Sequence, residues 1–203
     1  MTVRCLSVGP LGTNCYVIAD NSGTAAVIDP GDEAARIQAM LSENGWTPTC
    51  VLLTHVHFDH IGALKALVDA SGCRVVCHRD EEAALTDGVR NLSALFGVPL
   101  ATVSHADTVV DGEEVTVGEM TFSVVHTPGH TPGSVCYRLG DNLFSGDTLF
   151  CESIGRTDFP GGDMHEMRRS LEKVLSMEGI AKVYPGHDEP TTLEHERQYN
   201  PYC

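Results

Sequence analysis

The sequence predicts an α/β protein in which two mixed β-sheets pack face to face with helices outside them, an αββα sandwich. Two observations carry this expectation. Short strand-like segments alternate with helical ones, and the same broad order of elements runs twice along the chain. Histidine- and aspartate-bearing segments follow several predicted strands directly, and in a layered sheet protein such strand ends share one binding edge. With 203 residues, 42% of them hydrophobic, the chain can bury one substantial core, so a single domain over residues 1–203 is expected.

Residues 3–8, 14–19 and 24–29 read as short strands because the turn-forming stretches GPLGT and DNSG separate them. PGD then provides a plausible cap for a helix over 33–41. The apolar run 50–53 predicts a strand that delivers the chain into THVHFDH (54–60), which therefore lies on a strand-to-helix loop, with the helix continuing over 62–70. A strand over 74–77 and helical or irregular residues 80–96, ending at GVP, complete the first half. The second half predicts strands at 113–117, 120–125, 134–139 and 142–144, a helix over about 164–175 and a last strand at 181–184.

Thirteen Lys and Arg stand against 28 Asp and Glu, a formal net charge of −15, so a nucleic acid or an anionic membrane would meet a repulsive field. No apolar run approaches the roughly 20 residues that span a bilayer. The N-terminal MTVRCLSVGP lacks the apolar region of a signal peptide, and a cytoplasmic protein is expected. Eight cysteines occur without a CxxC pair; Cys73 and Cys77, flanking RVV, read as core packing rather than half a metal site. Nothing in the sequence marks an oligomeric state.

The chemistry concentrates in four segments. THVHFDH offers His55, His57, Asp59 and His60; HTPGHTPGS offers His130; FSGDTLF offers Asp147; VYPGHDEP offers His187. One such histidine alone would ordinarily be a hydrogen-bonded structural group. Seven ligand-type side chains at strand ends exceed the four of a closed zinc site and fit two metals with Asp147 between them. Imidazole with carboxylate suits zinc, iron or manganese. His126 reads as a structural neighbour of His130, and His195 lies on a solvated helix among Glu194, Glu196 and Arg197. His78, His105 and His165 have no ligand-type company, while Asp29 in VIDPG suits a partner that orients a histidine.

THVHFDH followed by GHTPGS, SGDTLF and YPGH resembles the metallo-β-lactamase superfamily over essentially the whole chain, and within it the glyoxalase II-like hydrolases. The resemblance implies the metallo-β-lactamase fold and two divalent ions, zinc foremost, with iron or manganese as alternatives. It implies that His55, His57 and His130 hold one ion, Asp59, His60 and His187 the other, and Asp147 both. The likeness is to the short bacterial branch without the C-terminal helical domain, and the implied substrate is a small acyl-thiol, S-lactoylglutathione or a related thioester. Arg156, in SIGRTDFPGG, stands about where that family has a basic residue facing glutathione, but Glu189 stands where it has a tyrosine. GRTDF also occurs in persulfide dioxygenases of the same superfamily, whose single iron is held by residues corresponding to His55, His130 and Asp147. A mononuclear iron oxygenase is therefore the alternative.

Thioester hydrolysis suits such a site because two cations roughly 3.5–4 Å apart lower the pKa of a bound water from near 15.7 towards about 7. Asp59 is the residue placed to ligate and to accept the water's remaining hydrogen. A thiolate leaves readily, with a thiol pKa of about 8.5. No dedicated acid is then needed, in keeping with motifs that carry no spare Tyr or Lys. Arg156 is the cation placed to pair with a substrate carboxylate; its structural alternative is an ion pair with Asp158 or Asp163.

Overall fold

The computed structural model describes residues 1–203. Six strands form one sheet in the order β1-β2-β3-β4-β5-β6: β1 (Thr2–Val8), β2 (Thr13–Ala19), β3 (Thr24–Ile28), β4 (Thr47–Leu52), β5 (Arg74–His78) and β6 (Asp107–Val109). The first three run antiparallel as a meander, and β3 to β6 pair parallel. The helices α1 (Ala34–Glu43) and α3 (Leu64–Ser71) lie between parallel strands, as the crossover connections of parallel pairs require. A second sheet has the order β13-β10-β9-β8-β7, with β7 (Glu114–Val117), β8 (Met120–His126), β9 (Val135–Leu139), β10 (Asn142–Gly146) and β13 (Lys182–Pro185).

Strand periodicity makes the layers. In β2, Tyr16 and Ile18 join Phe122, Val124, Tyr137 and Phe144 of the second sheet in the core between the sheets. Cys15, Val17 and Ala19 point the other way, into a cluster with Ile37 and Leu41 of α1 and Leu64 and Leu67 of α3. On the far side of the second sheet, Cys136, Leu143 and Val183 pack with Met167, Leu171 and Val174 of α6 (Met164–Leu175) and Leu193 of α7 (Leu193–Tyr199). The αββα sandwich is what these three clusters build. Cys73 and Cys77 lie in the cluster beneath α1 and α3, as core residues.

Several boundaries differ from expectation. β4 begins at Thr47, ahead of the apolar run, and its register against β3 shifts where Pro48, which has no amide to donate, enters the ladder. The helix expected over 62–70 is α3, and a short helix not expected, α2 (Phe58–Ile61), precedes it, so the turn of chain carrying Asp59 and His60 is itself helical. Residues 79–96 hold α4 (Arg79–Glu82), a 3-10 turn (Ala83–Thr86) and α5 (Ser93–Phe96). The edge strand β6, and β11 (Leu149–Phe150) with β12 (Ser153–Ile154), were not expected, being too short to show a period.

Candidate metal centre

Each of the four segments leaves a strand at the same edge of the sandwich. Asp29, just past β3, adopts a left-handed conformation with φ 49°, which aspartate tolerates better than most residues. From there Oδ1 accepts the Thr54 amide (2.8 Å), while Oδ2 accepts the Thr54 hydroxyl (2.6 Å) and His60 Nδ1–H (3.0 Å). It is the orienting partner its place in VIDPG suggested. On the second sheet, the β10–β13 register shifts between Phe144 and Gly146, immediately before Asp147. Gly186 packs so closely on Asp147 and His60 that a Cβ there would collide with the Asp147 carboxylate.

The hydrogen bonds fix which nitrogen of each ring faces inward. His60 donates from Nδ1 to Asp29, His130 from Nδ1 to the Arg156 carbonyl (2.7 Å) and His187 from Nδ1 to the Leu11 carbonyl (3.2 Å). Because the Thr54 hydroxyl hydrogen goes to Asp29, its oxygen is free to accept from His55 Nδ1 at 3.2 Å. A neutral ring that donates from Nδ1 carries a bare Nε2, so four Nε2 lone pairs are aimed away from their supports.

Those lone pairs converge. Donor atoms of His55, His57 and His130 lie within 4.8 Å of one another, as do those of Asp59, His60 and His187, and those of His55, His60 and Asp147. His57 Nδ1 and His130 Nε2 are 2.9 Å apart. Asp147 reaches both groups: Oδ1 lies 3.4 Å from His60 Nε2, and Oδ2 lies 3.5 Å from His130 Nε2 and 3.6 Å from His187 Nε2. Asp59 Oδ2 lies 3.3 Å from His187 Nε2. The Nε2 atoms of His55, His57 and His60 and Asp147 Oδ1 are buried without a hydrogen-bond partner. Each such orphan costs about 1–3 kcal/mol. His57 turns Nδ1 to the group, and the converging atoms form a candidate donor set for a cation.

Burial, reinforced by the neighbouring imidazoles, lowers the His55 pKa well below its ordinary value and pushes His57 down to about 3. Burial would do the same to His60 and His187, but Asp147, Asp59 and Asp29 raise His60, and Asp59 with Asp147 raise His187. For the carboxylates burial acts upward and is outweighed: His60 and His187 hold Asp59 below the usual range, and His60, His130 and His187 hold Asp147 at about 2.

Sequence reasoning missed two supports. Glu81 of α4 is buried, and its carboxylate accepts Val56 N–H and Gly133 N–H, each at 3.0 Å, joining the loop that carries His55 and His57 to the loop that carries His130. Asn14 of β2 donates to the carbonyls of Pro185 (3.0 Å) and Asp188 (2.8 Å), which fixes the turn bearing His187. Arg156 contributes through its carbonyl to His130; its side chain forms two 2.7 Å hydrogen bonds with Asp158 and lies 3.8 Å from the Phe159 ring centre. Asp163 instead caps α6. His78, given no company by sequence, stacks on His126 with ring centres 4.1 Å apart, near Asp80. His195, placed on a solvated helix, donates to or accepts from nothing in the centre and instead meets Glu152 at 2.9 Å.

Residues 8–187 match the family described as the metallo-beta-lactamase superfamily. The chain belongs to that superfamily. The "Probable metallo-hydrolase YqgX" of Bacillus subtilis is 37% identical over all of this chain and 97% of its own length. The "Hydroxyacylglutathione hydrolase GloC" of Haemophilus influenzae is 32% identical over all of this chain and 98% of its own. Among solved structures, the B3 metallo-beta-lactamase BLEG-1 superposes with a TM-score of 0.94 at 41% identity, covering 99% of both chains. TTHA1623 in a di-iron-bound form gives 0.90 at 36%, covering 99% of this chain and 100% of that one. ETHE1 from Myxococcus xanthus gives 0.83 at 35%, covering 99% and 84%. At this level the protein is a metal-dependent hydrolase of the superfamily. No helix is long and apolar enough to cross a membrane.

Proposed function

We propose that the seven side chains hold two divalent cations, zinc foremost, and that the protein hydrolyses acyl thioesters in the manner of a hydroxyacylglutathione hydrolase. The observation that carries this reading is the inward convergence of bare imidazole nitrogens on Asp147, which lies within 3.6 Å of donors from both triads. His55, His57 and His130 would hold one ion, Asp59, His60 and His187 the other, and Asp147 would touch both. Cations there would supply a hydroxide nucleophile at neutral pH and Lewis-acid stabilisation of the oxyanion.

The chain's own groups do the rest. Thr13 Oγ1–H donates to Asp59 Oδ2 (2.9 Å), which fixes the carboxylate that accepts the attacking water's hydrogen. The two fully buried tyrosines are committed elsewhere, Tyr16 OH to the Pro185 carbonyl (2.7 Å) and Tyr137 OH to the Leu53 carbonyl (3.0 Å). Neither is available as an acid, and a thiolate leaving group needs none. The name borne by the Haemophilus relative supports the same bond type. The test is anaerobic incubation of metal-reconstituted protein with S-lactoylglutathione and simple thioesters. Release of free thiol is expected. Oxygen consumption with glutathione persulfide by protein holding one iron per chain, without thiol release, would assign the mononuclear oxygenase instead.

A further inference from the structure

Beside the Asp59 and His187 edge of the centre runs a cleft of about 180 Å³. It is contiguous with the site: Asp59 and Thr13 line it, and Leu11, another wall residue, accepts His187 Nδ1–H through its carbonyl. Val8, Phe58, Val98 and Leu100 give it apolar wall. Leu11 is 51% and Val98 37% exposed, so two large apolar side chains face water at the mouth. The apolar surface continues around the centre, since Phe58 packs on Phe96 (5.1 Å), Phe96 on Phe159 (6.1 Å) and Phe159 against His57 (6.2 Å).

Charge narrows the occupant. Leaving aside Asp59, a candidate metal ligand, the charged residue lining the cleft is Asp32, which is acidic. The hollow next to His187 is lined by Cys151, Glu152, Asp188 and Glu189. Arg156 is held by Asp158 and stacked on Phe159. A glutathione thioester brings two carboxylates and one ammonium to walls that already carry carboxylates. An uncharged hydrocarbon chain meets no such repulsion and gains from covering Leu11 and Val98.

We infer that the cleft binds the hydrocarbon chain of an uncharged acyl thioester, and that such medium-chain thioesters are better substrates than the glutathione conjugate. The inference rests on the thioesterase reading above. At about 180 Å³ the cleft has room for a chain of several methylenes.

The experiment compares acetyl, butyryl and hexanoyl thioesters of the neutral thiol N-acetylcysteamine with S-lactoylglutathione. In parallel, calorimetric titration of a non-hydrolysable hexyl thioether measures binding to the protein both metal-loaded and after chelation. The expected result is a rise in kcat/KM of about fourfold per added CH2 up to hexanoyl, a hexanoyl value above that of S-lactoylglutathione, and thioether binding that survives chelation. Val98→Lys, a change at a partly exposed position, should flatten the series and abolish thioether binding. A flat series in the parent protein with thioesters still hydrolysed, or thioether binding unchanged in Val98→Lys, overturns the inference alone. No turnover of any thioester, with the thioether still bound, overturns the proposed function while leaving an apolar-chain site.

Discussion

The two triads are built from different chemistry on one scaffold. His55 and His57 are buried imidazoles whose pKa values are lowered, so at neutral pH they already present lone pairs. His60 and His187 sit among carboxylates that raise theirs, so a proton competes with a cation for them more strongly. The first triad is prepared by desolvation, the second by charge. Neutral ligands gain nothing from protons, whereas carboxylates stabilise whichever positive charge is present, a proton or a metal.

The largest expected effect erases the comparison. Asp147→Ala should reduce occupancy of both positions and abolish turnover, whereas His187→Ala should empty the second position and leave the first; metal analysis after dialysis reads both. Full metal content with full activity in Asp147→Ala would end the dinuclear reading. Next come variants that split the triads through their supports. Glu81→Gln puts an amide donor against one of the two backbone donors it now accepts, and should weaken metal binding at the first triad by about tenfold or more. Asp29→Asn should do so chiefly at the second, through His60, with a smaller effect on the first relayed by Thr54 to His55. Equal weakening of both positions by either variant would show that the triads respond as one unit.

Acidification should separate the positions with the native sequence. Raised histidine pKa values bring proton competition on earlier as pH falls, and lowered values delay it. The second position is therefore expected to lose metal first on acidification from pH about 7 to about 5, through the ordinary histidine range, while the first holds until pH approaches that of its depressed histidines. Asp59 and Asp147, both held low, remain ionised throughout. Equilibrium dialysis at stepped pH reads the order, and simultaneous loss would break the contrast. The smallest effect concerns Arg156→Ala. With its guanidinium engaged on Asp158 and Phe159, kcat/KM for S-lactoylglutathione should change by less than about fivefold, as for an exposed ion pair. A larger loss confined to glutathione thioesters would instead make Arg156 a substrate-binding residue.

The comparison also marks what sequence can carry. The strands were legible because turn-forming stretches such as GPLGT and DNSG bracket short apolar runs such as CYVIA, which is buried on both faces between two layers. The seven donor residues were legible because histidine and aspartate at successive strand ends have no bland explanation in common. Glu81 was not, since within the run RDEE its neighbours point to solvent, and only packing against residues far away in the chain makes its carboxylate structural. The carbonyls of Arg156 and Leu11 were beyond reach for a plainer reason. A backbone acceptor has no residue signature, so the atoms that set the tautomers of His130 and His187 leave no trace in composition.

The position of Asp147 has a mechanical meaning as well. His55, His57, Asp59 and His60 follow a strand of the first sheet, whereas His130, Asp147 and His187 belong to loops of the second. A cation gripped by both sets would act as a rivet through the sandwich, joining segments distant in the chain as a disulfide does, though reversibly. Any ligand that binds only the assembled state stabilises it, by about 2.7 kcal/mol at a free concentration one hundred times its dissociation constant. Metal supply would then add to, or withdraw from, the grip that the apolar core between the sheets already provides.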